Sequence, residues 1–473
     1  MPTYNPLTSR VADQLAQIVG PDHLSYGDAA ALEPFSRDET PDYRLAHMPE
    51  AVVHPASADE VAEILRLASV EQVPITPRGG GTGLAGGAIP VCGGIVLVLN
   101  RMNRMIDLDE RNLMAVMEPG LVTRRINDIS APAGLCYAGY PMSYEDCHIG
   151  GNIATNAGGA KAIKYGMTGR YVSGLDVVLA DGRQLSLGGR LVKNATDGVM
   201  LSMLIGSEGI LGIITKIVLR LLPLPPVNVD LLATFATIDE AAAAVPKVVR
   251  GTGIIPCAVE LMDRAAFVLG SEYVKQPSPA PSVKAALLIS LDGLDDATVR
   301  KQAQIVRDFC LAQGAMDVEI AADPARSEAI WSIRRSIGSA CNAQAKFQGD
   351  EDIVVPVSAI PALVSVYHEL GRKYGLTMPA YGHAGDGNIH VHIFPAADWT
   401  TSQWDNAMDT LLPDLYSRVR KLGGKISGEH GIGCKRRKYL SLAVSEGYIQ
   451  AMSAVKRALD PKNILNPNKV LTF

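Results

Sequence analysis

The chain has 473 residues, 47% hydrophobic and 20% charged, enough for two or three soluble domains with substantial cores. A formal net charge of −5 leaves no basic footprint and argues against a nucleic-acid partner. Seven scattered cysteines (92, 136, 147, 257, 310, 341 and 434) without a C-x-x-C pair argue against a disulfide framework, a zinc ribbon or a local iron–sulfur motif.

The opening M-P-T-Y-N-P-L-T-S-R lacks the order of a signal peptide. Residues 1–45 read as a helical leader whose Val11, Leu15 and Val19 share one face. From Ala51 a β-α-β unit follows. Ala51 to His54 is a strand, Ser57 and Glu60 form a capping box, and Val61, Ile64, Leu65 and Ala68 make one apolar stripe. A second strand, Val73 to Pro77, runs into R-G-G-G-T-G-L-A-G-G-A-I-P, and Gly94 to Asn100 is a third.

This glycine loop follows the second strand and is followed by Gly86, Gly87 and Pro90 rather than a helix, which sets aside a dinucleotide fingerprint. It lacks the Gly-Lys-Ser/Thr of a P-loop. Spacing alone leaves open a structural turn or a bare-backbone pyrophosphate cradle. Pro141 to Gly159 offers a second glycine-rich stretch, which we read as non-helical because two Gly-Gly pairs each weaken a helix. G-S-E-G-I-L-G-I-I-T, 206 to 215, puts further glycines beside a strand. The most apolar run, Leu201 to Leu222, is broken by Ser207, Glu208, Lys216 and Arg220, so no bilayer span is expected. The expected location is cytoplasmic, compatible with peripheral attachment to a membrane.

Leu221 to Asp230 is a proline hinge. Beyond it, strands such as Leu231–Phe235 and Ala285–Leu291 interleave with helices starting near Ile238 and Ala297, predicting an α+β domain with helices on one face. Y-G-H-A-G-D-G-N-I-H-V-H-I-F, 381 to 394, is a glycine loop entering a half-buried strand. Ile389, Val391 and Ile393 take one face, and Asn388, His390 and His392 the other. His383, His390 and Glu429, the last from the distant G-E-H-G-I-G, form an N,N,O set suited to a divalent cation such as Zn²⁺ or Mn²⁺. Asp386 is expected to shape the turn. The basic run Lys435–Lys438 reads as a solvated face.

Together P-R-G-G-G-T-G, I-G-G-N-I-A-T-N-A-G-G and G-S-E-G-I-L-G-I-I-T resemble the FAD domain of the vanillyl-alcohol-oxidase/p-cresol-methylhydroxylase flavoproteins. G-H-A-G-D-G-N-I-H and G-E-H-G-I-G narrow the resemblance to the D-2-hydroxyacid dehydrogenase branch, which includes D-lactate dehydrogenases, glycolate oxidase catalytic subunits and D-2-hydroxyglutarate dehydrogenases. The resemblance covers nearly the whole chain. It implies an α+β protein: leader and two-part FAD-binding domain at 1–225, a substrate and metal cap with an antiparallel sheet at 226–440, and a segment returning to the FAD domain at 441–473.

It also implies FAD contacts from Pro77, Arg78, Gly79, Gly80, Gly81, Thr82 and Gly83; from Pro141, Gly150, Gly151, Asn152, Thr155, Asn156, Gly158, Gly159, Tyr165 and Gly166; and from Glu208, Gly209, Gly212, Ile213, Ile214 and Asn466. The first loop has no His or Cys, so the flavin is expected to be non-covalent. His383, His390 and Glu429 match the family's metal ligands, Arg334 its carboxylate clamp and His392 a substrate contact, with Arg335 a solvated neighbour. His430 is the expected general base, since an imidazole titrates near neutral pH.

Asp350 stands where the glutarate enzymes carry a lysine, and Gly338 where they carry a hydroxyl. This favours D-lactate or a similar monocarboxylate, although Lys346 and His392 offer compensation. Alternatives are D-2-hydroxyglutarate dehydrogenase, a glycolate oxidase catalytic subunit, a metal hydrolase, or a non-catalytic electron-relay subunit. With no haem or cluster motif, electrons are expected to leave to an external electron-transfer flavoprotein, cytochrome or quinone. A homodimer is compatible with the reading.

Overall fold

Two short, wholly apolar runs make the middle of the first sheet. Ala51–Val53 and Ile95–Val98 are buried throughout, as parallel strands covered on both faces should be. In the computed structural model Ala51–Val53 and Ile75–Arg78 flank Ile95–Val98 in parallel, and Leu24–Tyr26 closes the edge antiparallel. Helices Ser9–Val19 and Ala58–Glu71 send Val11, Leu15, Ile64 and Leu65 into a core shared with Ile75, Ile95 and Ile464. The Ser57 hydroxyl accepts the Glu60 N–H at 3.2 Å as expected, but the Glu60 carboxylate accepts from Ala56 at 2.8 Å, so only half of the capping box forms. A second, antiparallel sheet has the order Met105–Asp109, Met114–Met117, Ile213–Arg220, Val172–Val178, Gln184–Gly188.

The structure describes residues 4–345 and 347–471; Lys346 lies outside them. The chain up to Ala157, Met167–Leu224 and the residues from Glu429 onward form one compact unit, while Gly158–Gly166 and Pro225–Gly428 form the other.

The second unit is built on seven antiparallel strands in the order Ala315–Ile320, Val227–Phe235, Ala285–Gly293, Ala258–Asp263, Ala380–Gly382, Asn388–Ile393, Gly349–Val354. Its helices cover both faces, not one. Helices Arg264–Tyr273 and Pro324–Asn342 pack on the face carrying Leu232, Met262, Ala286 and Leu288. Helix Asp296–Ala312 lies over the other, where Val299 crowds Gly293. The strand Asn388–Ile393 is consequently buried throughout rather than half-buried: Tyr367 donates to the Ile389 carbonyl at 3.2 Å from the apolar side, leaving the histidines a buried polar face.

Candidate functional site

In the first unit the glycine stretches fold onto one another. A Cβ at Gly80 would stand 2.5 Å from the Asp146 carbonyl oxygen, so only glycine lets Gly79–Gly83 lie against the chain before Gly150. The Ile149–Thr155 segment is an α-helix, contrary to the reading from its glycines. Close packing outweighs the helix penalty, because a Cβ at Gly150 would meet the Pro119 side chain at 2.5 Å. At Gly151 a Cβ would meet nothing within 4 Å, so that side of the helix is open. His148 packs against Gly79, its Nδ1 is buried without a hydrogen-bond partner, and burial lowers its pKa. A bare backbone surface with an unsatisfied polar atom suits a large polar cofactor.

Several expected cofactor contacts have structural partners in the same unit. The Asn152 amide donates to the Thr123 hydroxyl at 2.7 Å, and Asn156 caps its helix and accepts the Gly169 N–H at 2.8 Å. Arg78 donates to the Arg37 carbonyl at 2.7 Å and lies over the Phe35 ring. Pro77 packs against Gly209, while Ile213 and Ile214 begin a buried strand. Asn466 donates to the Glu208 carbonyl at 2.8 Å and to that of Gly87 at 3.1 Å. Gly158, Gly159, Tyr165 and Gly166 belong to the second unit, where Lys164 pairs with Asp292 and the Tyr165 hydroxyl donates to it at 2.8 Å.

The G-E-H-G-I-G turn is held from below. The buried Glu208 carboxylate accepts the Ile432 N–H at 2.7 Å and the Gly433 N–H at 2.8 Å. Burial pushes the Glu208 pKa up, against the opposing pull of these bonds and of Lys469 and Arg436. The basic run is not a solvated face. Arg436 is 0% exposed and donates to the Gly431 carbonyl at 3.2 Å, and of the four only Lys438 is exposed.

The second unit gathers its chemistry on one sheet face. His390 pairs across the ladder with Tyr381 and Asp352, and His392 with Asp350. The His383 and His390 rings meet edge to face at 5.3 Å. Asp386 shapes the turn as expected, accepting the Asn388 N–H at 3.2 Å.

Glu260, the single acid within the apolar run Ala258–Met262, was not anticipated. One carboxylate oxygen accepts from His383 Nδ1 at 2.7 Å and the other from Arg334 Nε at 2.6 Å. Burial alone would raise its pKa, but Arg334 and His383 outweigh burial and hold the carboxyl at about 2. A carboxylate on Nδ1 orients the imidazole ring. Asp352 stands 3.6 Å from His390 Nδ1 and accepts from Asn388, Ser427 and the Gly428 N–H.

Arg334 is buried, with its guanidinium over the Tyr381 ring at 4.8 Å and Nη2 lacking a hydrogen-bond partner. Arg335 pairs with Glu328 at the surface. His392 Nε2 and the Tyr381 hydroxyl are 2.9 Å apart, with Asp350 3.8 Å from the same nitrogen. The Tyr381 hydroxyl also lies 3.4 Å from where a Cβ at Gly338 would be, so that position is not bare of polar atoms.

Known proteins carry the same two parts. Residues 49–188 match an FAD binding domain, and residues 224–470 match the C-terminal domain of FAD linked oxidases. The chain is 37% identical to glycolate oxidase subunit GlcD of Bacillus subtilis, covering 98% of this chain and 97% of the relative. It is 35% identical to a D-lactate dehydrogenase of Archaeoglobus fulgidus (92% and 94%) and 31% identical to a D-2-hydroxyglutarate dehydrogenase of Stutzerimonas stutzeri (97% and 98%). Two solved structures share the fold. A substrate-bound p-cresol methylhydroxylase has a TM-score of 0.80 at 19% identity, covering 99% of this chain and 98% of that one. A 4-ethylphenol oxidase of Gulosibacter chungangensis has 0.78 at 18%, covering 99% of each. No helix among the described residues is long and apolar enough to cross a membrane. With its FAD-binding domain, its oxidase C-terminal domain and full-length relatives of this kind, the chain belongs to the FAD-dependent D-2-hydroxyacid dehydrogenase family.

Proposed function

We propose that this protein oxidises a D-2-hydroxy monocarboxylate of the lactate type to its 2-oxo acid, using non-covalent FAD and a divalent cation. The carrying observation is the buried carboxylate of Glu260 shared between His383 and Arg334. One buried carboxylate holding both side chains supports reading His383 as a nitrogen ligand and Arg334 as an anion-binding guanidinium. The first unit would act as the FAD domain, with Pro77–Gly83 and the open side of the Gly151 helix as its cradle, and the second as the substrate domain.

The FAD cradle would supply a hydride acceptor, and His383, His390 and Glu429 would hold a Zn²⁺ or Mn²⁺ ion that would supply Lewis acidity toward the substrate hydroxyl. The donor set suits such a cation: two imidazoles, one of them backed by a buried carboxylate, and a third ligand that follows Gly428, itself anchored to Asp352. Arg334 would take the substrate carboxylate through Nη2, since Nε is already bound to Glu260. Tyr381 stacks beneath that guanidinium and fixes its plane. His430 would remove the hydroxyl proton, and His392 would line the substrate side chain. Electrons would then pass to an external acceptor, an electron-transfer flavoprotein, cytochrome or quinone.

Asp350 carries the choice of substrate. It is a buried acid beside His392, and a second substrate carboxylate would be repelled there. The Tyr381 hydroxyl against Gly338 favours the second reading, a polar substrate tail as in D-2-hydroxyglutarate. Anaerobic bleaching of the flavin by a panel of D- and L-hydroxy acids, with glycolate and D-2-hydroxyglutarate included, separates the two. D-Lactate should bleach fastest, and equal efficiency with D-2-hydroxyglutarate would remove the case for a monocarboxylate. Flavin remaining on the denatured polypeptide would refute non-covalent attachment.

A further inference from the structure

Glu208 lies in a sequence stretch expected to touch cofactor, yet its contacts within the first unit describe a different task. Its main chain is tied to the glycine framework on two sides. The Glu208 N–H donates to the Ala154 carbonyl of the Gly-Gly helix at 2.7 Å. Its own carbonyl accepts from Asn466, which also reaches Gly87 at the end of the first glycine loop. Its side chain points elsewhere, with the two carboxylate oxygens separately accepting the Ile432 and Gly433 N–H groups. These are the residues immediately after His430 and Gly431. The fit is tight, since a Cβ at Gly431, where φ is +90°, would press on the Glu208 carboxylate carbon at 2.9 Å.

We propose that Glu208 is a positioning residue that locks the Gly431–Gly433 turn, and through it His430, to the glycine framework. Two charge-assisted bonds from one buried carboxylate fix the Gly431–Ile432 and Ile432–Gly433 peptide planes, one residue beyond the histidine, and so restrict how far its backbone can tilt. The inference rests on the reading of His430 as the base.

The test uses Glu208→Gln, His430→Ala and the double variant in the FAD-loaded full-length protein. The amide of E208Q would keep one acceptor and turn an NH₂ toward an N–H. The expected result for E208Q is retained FAD, substrate affinity within about twofold, and flavin reduction slowed by about tenfold or more. Trypsin should also cut faster in the Lys435–Lys438 run, where Arg436 is buried. In the His430→Ala background E208Q should slow reduction no further, because it acts through the missing imidazole. An equal additional loss in that background, or unchanged tryptic cleavage, overturns the proposal. A parental reduction rate in H430A instead refutes the base assignment and with it the link from Glu208 to His430. If E208Q does not fold, Gly431→Ala perturbs the same contact from the other side and is read the same way.

Discussion

The glycine framework of the first unit and the histidine face of the second are built on opposite principles. The first is made by leaving side chains out: Gly80 and Gly150 bring backbone against backbone, and Gly151 leaves a helix flank bare. The second is made by placing side chains against one another, so that His383, Glu260, Arg334 and Tyr381 each hold the next. Where a surface made by omission is left open, as at Gly151, it tolerates a small addition until its ligand arrives. A chain of buried charges does not, because removing one member strands another.

Arg334→Met should break the second region most severely. It removes the guanidinium that pairs with the buried Glu260, and we expect a stability loss of about 3 kcal/mol or more together with weakened substrate binding. Denaturant unfolding checks the first effect; an unchanged midpoint would mean that the pair is not structural. His430→Ala should come next, lowering the anaerobic flavin-reduction rate by roughly 100-fold with little change in substrate affinity. A loss of affinity alone would demote His430 to a binding role. Gly151→Ala probes the first region. Nothing beyond its own helix lies within 4 Å of the added methyl, so the FAD-free protein should be no less stable than the parent while FAD binds about tenfold more weakly. Equal FAD affinity would place the flavin elsewhere. Arg335→Ala should do least, within about 0.5 kcal/mol in stability and without effect on substrate binding, since Arg335 pairs only with Glu328 at the surface.

The comparison also explains what could be read from the sequence. Omission leaves a visible trace, because clusters such as Gly79–Gly81 are rare without a reason. The alternation of Asn388, His390 and His392 with Ile389, Val391 and Ile393 correctly divided the strand. It could not reveal that helices would cover both faces of the sheet and bury the strand throughout. Reading the Gly150–Gly151 stretch as non-helical failed because the propensity penalty was weighed without the packing against Pro119 that outweighs it. The basic run failed similarly: charge density suggests solvent, but Arg436 is drawn inward by the Gly431 carbonyl. Glu260 left one weak signal, a single acid amid A-V-E-L-M, and its partners lie 74 and 123 positions away. No local pattern encodes such distances. Glu208 was noticed, but as a neighbour of the flavin. Its contact with Ile432 spans 224 positions, equally beyond local reading.

The returning segment has a consequence for biosynthesis. Leu465 bridges Ile75, Ile464 enters the core beneath the first sheet, and the buried Lys456 amine donates to the Ile210 and Leu465 carbonyls at 2.8 Å. These last residues leave the ribosome after the whole of Pro225–Gly428. The sheet that supports the glycine framework is therefore completed only after the histidine unit has been made. The histidine unit, continuous in sequence apart from Gly158–Gly166, has all of its strands available earlier. Assembly then runs against the order of the genetic message: the sheet encoded ahead of Pro225 waits for residues encoded beyond Gly428, with the whole histidine unit made in between.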